Sequence, residues 1–293
     1  MKSYDLFFYA IEPTHVGAGG YRLGRVDNTI VRDAGTGLPK LPGSSISGAL
    51  RSAALFSLPE AIDRVAARDY ARAEKPVGGA EDPVAKYFGF AEGHDKGQSR
   101  IGALGFSDAQ ILLFPVYTLS GPKWITTYQR LLEAGVENPP KPEDLDKVYA
   151  NSAYERLNLG WMLFQIEKAA IELPPALKEA SFSKVFADEL VVVHEAIFAN
   201  LVNANLEVRT SVALDFEMGS AKEGALFTYE AMPRGAVYVS RVFLDNRRYP
   251  ELEAGAEALL KASLDHASQL GFGAMTTRGF GRMSYHLTEV SNG

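Results

Sequence analysis

Residues 251–290 read ELEAGAEALLKASLDHASQLGFGAMTTRGFGRMSYHLTEV and contain a helix pattern, a glycine-rich loop and a strand in direct succession. Apolar residues recur at helical spacing from Leu252 to Leu270, which predicts an amphipathic helix with one face on a core. Residues 271–281 hold four glycines, a density that favours a backbone at positive φ or in close approach to another group. Because residues 235–245 predict a further strand, this part of the chain is a strand–helix–strand unit.

The amino-terminal part predicts a matching unit. Residues 4–11, YDLFFYAI, are short, aromatic and branched, as in a buried strand. Residues 44–58, SSISGALRSAALFSL, predict a helix that Ser44 or Ser45 caps. Residues 103–119 predict two short strands. The order without insertions is β-α-β-β-α-β, so we expect an α+β fold with a ferredoxin-like, RRM-like core.

Two insertions and a hairpin complete the predicted architecture, a single domain over residues 1–293. We expect helical insertions at about 59–100 and 120–205, the second with an amphipathic helix at 183–203. Residues 206–232 predict two strands joined by a flexible turn, and therefore a projecting β-hairpin thumb.

The composition is that of a globular protein with a net charge of −6 and no cysteine. A chain without cysteine forms neither disulfides nor thiolate metal sites. The first residues, MKSYDLFFYAIEP, lack the apolar segment of a signal peptide, and no stretch of 18 apolar residues follows, so we expect a cytoplasmic protein outside any membrane. A negative total argues against a surface that is basic throughout.

A local basic strip is still compatible with this charge, because several arginines lie in or beside glycine-bearing loops. They are Arg22, Arg25, Arg32, Arg51, Arg278 and Arg282.

Common catalytic and nucleotide-binding motifs are absent from the sequence. Residues 17–24, GAGGYRLG, have Arg22 where a dinucleotide fingerprint has its third glycine. No GK[ST], HExxH or GxSxG sequence occurs. Nucleotide-dependent enzymes, zinc proteases and serine hydrolases are therefore disfavoured.

Residues 15–51, HVGAGGYRLGRVDNTIVRDAGTGLPKLPGSSISGALR, together with the glycine loop before the last strand, resemble the RAMP superfamily of CRISPR-associated RNA-binding proteins. Residues 224–238, GALFTYEAMPRGAVY, make the chain similar to the backbone ribonuclease subunits of the Cmr module, type III-B. One position departs from that family, which usually has Lys where Ser47 stands. The change removes a point charge for a guide-RNA phosphate.

The resemblance implies the roles of the candidate site residues. Asp27 would be catalytic and would hold a divalent metal ion, Mg²⁺ or Mn²⁺, near the scissile phosphate. His15, Tyr229 and Glu230 are accessory candidates for cleavage. From the residues alone, Asp27 is equally typical of a turn cap, His15 of a structural histidine, and the strand pair of ordinary core and surface positions.

The resemblance also implies a surface for RNA, on which phosphates would be bound without regard to sequence. The predicted contact residues are Gly17, Gly19, Arg25, Ser44, Ser45, Ser47, Arg51, Thr276, Thr277, Arg278 and Arg282. The thumb would displace one nucleotide of the guide–target duplex with apolar residues, for which the candidates are Val212, Leu214, Phe216 and Met218. These four are equally compatible with inward-facing strand positions.

The implied partners are CRISPR guide RNA, complementary target RNA, other Cmr-module subunits, and further copies of this chain in a head-to-tail filament. The implied reaction cleaves target RNA at regular intervals, leaving 2′,3′-cyclic phosphate and 5′-hydroxyl ends. Two alternatives stay open: a scaffold that binds guide RNA without cutting, and an endoribonuclease that processes the guide precursor without metal.

Overall fold

The computed structural model describes residues 2–19, 26–56, 83–91, 99–186, 188–214, 219 and 221–290, and the fold is mixed α+β. The strands are β1 (Lys2–Ala10), β2 (Lys40–Leu41), β3 (Phe90–Ala91), β4 (Ser99–Arg100), β5 (Leu104–Phe106), β6 (Ala109–Thr118), β7 (Gly121–Thr127), β8 (Lys147–Ala150), β9 (Arg156–Leu159), β10 (Met162–Lys168), β11 (Leu190–Val193), β12 (Glu207–Leu214), β13 (Ala221–Ala231), β14 (Val237–Leu244) and β15 (Met283–Glu289). The helices are α1 (Gly43–Phe56), α2 (Pro83–Phe88), α3 (Tyr128–Glu133), α4 (Pro175–Lys178), α5 (Glu195–Ala204) and α6 (Glu253–Leu270), with 3₁₀ turns at Ser183–Phe186, Pro250–Leu252 and Thr276–Arg278.

One large sheet organises the described part of the chain. Its strands run in the order β15-β1-β14-β6-β7-β11-β8-β10-β9, with β2 beside β6 and β5 beside β14. The first four pair antiparallel. α1 and α6 pack against each other, and their buried residues share one cluster with those of β1 and β14.

Strand β1 divides the core because successive side chains point to opposite faces of the sheet. Leu6 and Phe8 belong to the main cluster with Leu50 of α1 and Leu264 of α6. Phe7 belongs to a second cluster on the other face, with the side chains of the 175–186 segment. Within the described residues, none of the helices is long and apolar enough to span a membrane.

The helical character predicted for the insertion at 120–205 is wrong, because this segment contains strands β7 to β11 and only short helices. The predicted helix at 183–203 is likewise three elements: a 3₁₀ turn, β11, and α5, which the His194 side chain caps by accepting from the Ala196 N–H. β11 has the sequence LVVV and is fully buried between β7 and β8. Such a β-branched run is typical of a central strand, and the sheet on both sides decides its conformation. The helix expected in the first insertion, from residue 59, lies outside the described residues.

The predicted hairpin is present as a two-stranded ribbon. β12 and β13 pair antiparallel with each other and not with the large sheet, from the pair Glu207–Ala231 to the pair Leu214–Ala221. Its base is attached to the core, where Tyr229 packs edge-on against Phe280 at 5.6 Å between ring centroids.

The glycine-rich loop between α6 and β15 is packed against the segment that follows β1. The Ala274 N–H donates to the His15 carbonyl at 2.8 Å. Gly273 has φ +89°, and a Cβ there would lie 2.4 Å from the same carbonyl oxygen. This glycine therefore serves the close approach of two backbone segments.

We expect Gly273→Ala to lower the free energy of unfolding by roughly 3 kcal/mol or more, since it adds a backbone clash to the strain of positive φ. The matched control is Gly279→Ala, where φ is +79° and nothing lies within 4 Å of an added Cβ. Only the conformational strain of about 1–2 kcal/mol applies there. Urea unfolding of both variants measures the difference, and equal losses would contradict the packing role of Gly273.

Candidate functional site

Residues 26–32 lie between two other backbone segments. On one side the Asn28 N–H donates to the Thr228 carbonyl at 3.1 Å and the Glu230 N–H donates to the Asn28 carbonyl at 3.0 Å, which adds the segment to β13 in parallel. On the other side it pairs antiparallel with residues 16–18. Val26 and Ile30 are buried, whereas Asp27 and Asn28 between them are exposed, so the two apolar residues anchor the segment to the core.

Asp27 is fixed to the hairpin by three hydrogen bonds with Thr228. Its Oδ2 accepts from the Thr228 N–H at 2.7 Å and from the Thr228 hydroxyl at 2.9 Å. Its own N–H donates to the Thr228 Oγ1 at 3.1 Å. These two donors hold the pKa of the Asp27 carboxyl below its usual value, and the backbone N–H has the larger effect. The exposed carboxylate is therefore ionised and held in one orientation.

His15 lies behind this segment and is 6% exposed. Its Nδ1 is 2.6 Å from the Glu230 carbonyl oxygen. A carbonyl only accepts, so Nδ1 carries a proton and donates. The ring packs edge-on against Tyr229 at 6.1 Å between centroids, and the Tyr229 hydroxyl accepts from the Ser211 hydroxyl at 3.2 Å. Both side chains thus connect the 13–19 segment to the base of the hairpin.

Glu230 forms the second connection between the 26–32 segment and β13. Its Oε2 accepts from the Arg32 guanidinium at 2.9 Å and from the Ile30 N–H at 3.4 Å. Arg32 also donates to the Ile30 carbonyl and to the Asn203 side chain on α5. The carboxylate and the guanidinium are therefore largely occupied within the chain.

The predicted RNA-binding residues of the two glycine-bearing loops lie beside this site. Gly17 and Gly19 are exposed on the 13–19 segment, and Thr277 and Arg278 are exposed on the glycine-rich loop. Thr276 is half-buried.

Two more arginines were predicted to bind RNA in these loops, and the structure describes only Arg282. Arg282 forms an ion pair with Glu12, and its hydrogen bond is the main cause that lowers the pKa of the Glu12 carboxyl. Arg25 lies outside the described residues.

The start of α1 forms a separate group at the far end of the 26–43 segment. The helix begins at Gly43, and the Asp108 Oδ1 accepts from the Gly43 N–H at 2.8 Å, so Asp108 takes the capping place predicted for Ser44 or Ser45. Lys40 donates to the Asp108 Oδ2 at 2.6 Å. A carboxylate therefore already occupies the helix terminus that was expected to bind an RNA phosphate. The predicted residues in α1 are Ser44, exposed, and Ser45, Ser47 and Arg51, half-buried.

Sequence reasoning missed Thr228, although it singled out the two residues that follow it. Side chains two apart on a strand share a face, so the orientation of Glu230 towards the 26–32 segment implies the same orientation for Thr228. That periodicity was the available signal. The role of Asp108, 65 positions from Gly43, had no local signal.

An apolar surface lies at the tips of two adjacent hairpins, β6–β7 and β9–β10. The tips are joined because the Gly160 N–H donates to the Tyr117 carbonyl and the Leu119 N–H to the Asn158 side chain. Trp161 is 98% exposed and Leu119 86%. This apolar tip surface consists of Tyr117, Leu119, Tyr154, Trp161, Met162 and Leu163. Six exposed apolar side chains at two joined tips make this surface a candidate for contact with another macromolecule.

We expect Glu230→Gln to lower the free energy of unfolding by about 1–2 kcal/mol, since it keeps an acceptor for the Ile30 N–H but removes the charge opposite Arg32 in a partly buried site. The matched control is Glu12→Gln at the more exposed pair with Arg282, where we expect at most about 0.5 kcal/mol. Urea unfolding at low and high salt measures both. An equal small effect would mean that the Arg32 pair does not stabilise the site.

Comparison with known proteins places the whole chain in one family. The RAMP superfamily model matches residues 7–284. The CRISPR system Cmr endoribonuclease Cmr4 of Pyrococcus furiosus is 27% identical over 314 aligned positions, which cover 100% of this chain and 98% of the relative.

Solved structures share the fold. The type III-B Cmr-beta complex bound to cognate target RNA, determined by cryo-EM, contains a chain of 18% identity with a TM-score of 0.68, covering 97% of this chain and 96% of that one. The crystal structure of oligomeric Cmr4 from Pyrococcus furiosus is 21% identical with a TM-score of 0.62 over 100% of both chains. The family match and the shared fold agree with the glycine-rich loop before β15, and the chain belongs to the RAMP superfamily.

Proposed function

We propose that the chain is the backbone subunit of a type III-B CRISPR effector complex, which binds guide RNA and cleaves the paired target RNA. The relative Cmr4, which aligns with the whole length of this chain, is named as an endoribonuclease. The observation that carries the proposal is the exposed, ionised Asp27 carboxylate, fixed by Thr228 to a hairpin whose two strands form a sheet of their own. Such a subunit would act in the cytoplasm, where the transcripts are.

The proposed reaction is a transesterification within the target RNA. The 2′-oxygen attacks the adjacent phosphorus and loses its proton, the bond from phosphorus to the 5′-oxygen breaks, and that oxygen takes up a proton. The products are a 2′,3′-cyclic phosphate and a 5′-hydroxyl. Because RNA supplies its own nucleophile, the protein need only align the 2′-oxygen with the phosphorus and stabilise charge.

A divalent cation fits this site only with ligands from RNA and water in addition to protein. Among the described residues, no group of three or more His, Asp or Glu side chains could hold a metal ion. Mg²⁺ commonly binds through one carboxylate together with phosphates and waters, and the Asp27 carboxylate suits that pattern. When bound, the ion would stabilise negative charge on the phosphate.

The accessory residues act on the position of Asp27 in this proposal. His15 and Tyr229 connect the 13–19 segment to β13, and Glu230 with Arg32 holds the 26–32 segment. The direct catalytic roles expected of His15, Tyr229 and Glu230 stay predictions.

Guide RNA would lie across the two glycine-bearing loops, near Gly19, Thr277 and Arg278, which are exposed. Pairing between guide and target would select the sequence, while the protein contacts the backbone. Exposed apolar residues on the hairpin would displace a nucleotide. Val212 is exposed there, as expected, and so is its cross-strand neighbour Leu226. The other three wedge candidates lie among residues whose side chains the structure does not describe.

Self-association into a head-to-tail filament is the second part of the proposal. The apolar tip surface and the hairpin are different surfaces of one chain, and contact between unlike surfaces gives an open filament when its rotation does not close a ring. We assign the apolar tip surface to contact with the next copy. Other Cmr-module subunits would join the same assembly.

We infer that the core has the ferredoxin-like arrangement. The sheet order β15-β1-β14-β6, with each neighbour antiparallel and with α1 and α6 packed together, supports this. In that arrangement β5 and β6 together provide the second core strand, and segment 121–231 is inserted between the second and third.

We expect Asp27→Asn to lower target cleavage in the assembled complex by at least about 100-fold, because a neutral amide would hold a divalent ion beside the phosphate much more weakly than a carboxylate does. The matched control is Asp33→Asn. The Asp33 carboxylate accepts from the Thr36 N–H in a nearby turn, and we expect cleavage without it to be unchanged. Gel analysis of labelled target measures cleavage. Unchanged cleavage by Asp27→Asn would favour the alternative of a scaffold that does not cut. If the isolated protein cuts repeat RNA in EDTA, that result would favour the guide-processing alternative.

We expect Trp161→Ser combined with Leu119→Ser to weaken association of copies on guide RNA roughly tenfold or more, since buried aromatic anchors dominate interface energies. Ile101→Ser is the control, because Ile101 is also well exposed but lies outside the apolar tip surface. Mass photometry of the chain with guide RNA gives the distribution of copy numbers. An unchanged distribution would remove this surface from the proposed filament contact.

A further inference from the structure

Thr228 is bonded to Asp27 in a reciprocal way, because its hydroxyl both donates to and accepts from Asp27. Its hydroxyl donates to the Asp27 Oδ2 and accepts from the Asp27 N–H, while its backbone N–H donates to the same Oδ2. A hydroxyl has one hydrogen and two acceptor lone pairs, so both contacts are compatible at once. The two contacts fix the rotamer of each side chain.

Both donors from Thr228 reach the same carboxylate oxygen. In the described part of the chain, Oδ2 accepts two hydrogen bonds and no bond to Oδ1 is found. The Thr228 N–H and hydroxyl together therefore determine which Asp27 oxygen faces outward, and the hydroxyl adds the second of these two contacts. A β-branched strand residue without a hydroxyl would provide only the backbone N–H contact.

Thr228 also lies between the exposed part of the hairpin and its anchored base. Leu226 is 66% exposed, and a strand rises about 3.3 Å per residue, so Leu226 is roughly 7 Å from Thr228 on the same face of β13. On the other side, Glu230 is bonded to Arg32 and to the Ile30 N–H. The carboxylate of Asp27 is thus held at a set distance from the apolar residues of the hairpin.

We propose that Thr228 is a positioning residue that ties the Asp27 carboxylate to the hairpin, so that the hairpin which displaces a nucleotide also sets which phosphate is cut. This inference rests on the proposed function and deepens it. In this proposal, the Thr228 hydroxyl links the nucleotide that the hairpin displaces to the phosphate at which the target RNA is cut.

Thr228→Val tests the link because valine keeps the size and branching and removes only the hydroxyl. In the assembled complex with guide and target, we expect a single-turnover cleavage rate roughly 10- to 100-fold lower, in line with the effect of small misplacements. We further expect cuts at neighbouring phosphates in addition to the regular ones. Target binding should be unchanged. Thr228→Ser restores the hydroxyl and should restore both the rate and the single cut position.

Thr210→Val is the matched control, since Thr210 is the cross-strand partner of Thr228 on the same hairpin and should cleave like the unmodified chain. If Thr228→Val fails to assemble, Thr228→Ser against Thr228→Ala gives the same comparison at smaller size. Asp27→Asn without cleavage, together with Thr228→Val of normal rate and cut position, would overturn this inference and leave the proposed function intact. Normal cleavage by Asp27→Asn would overturn the proposed function itself.

Discussion

The attachment of residues 26–32 to β13 is the constraint on which the site depends. Two backbone hydrogen bonds align the segment with the hairpin strand, and the side chains of Thr228 and Glu230 fix its two ends. The 13–19 segment covers the other side and is itself packed against the glycine-rich loop. Two parts of the chain that are about 200 residues apart thereby hold one exposed carboxylate in place.

This arrangement explains how a loop can keep a carboxylate in place without burying it. A buried charge requires a partner and still costs desolvation. Asp27 stays exposed and is held by neutral donors of Thr228, so its charge is available to the outside. Glu230 faces inward and is neutralised by Arg32. Asp27 on the 26–32 segment and Glu230 on β13 are thus held in different ways, the first exposed to solvent and the second paired inside the chain.

Like Arg32, other positively charged side chains of the chain are paired with carboxylates inside it. The net charge is −6, and several cations form pairs inside the chain: Arg32 with Glu230 at the site, Arg282 with Glu12 near the glycine-rich loop, and Lys40 with Asp108 at the start of α1. An RNA surface on this protein would therefore depend strongly on exposed backbone N–H groups and hydroxyls, as well as on Arg278. Backbone donors bind phosphates of any sequence, which suits the guide-RNA binding that we propose.

The sequence by itself determined the elements that have a strong local period and the family to which they belong. The helix ending at Leu270, the strands around it and the motif in residues 15–51 needed no tertiary information, because periodicity and residue type are local properties. The sequence could not determine that LVVV of β11 is a strand, since a short apolar run suits a buried helix or a buried strand equally. Nor could it show that Asp108 caps α1 or that Thr228 holds Asp27, because these contacts join residues 65 and 201 positions apart. Only the tertiary structure brings such residues together, and at this site it decides which carboxylate faces outward.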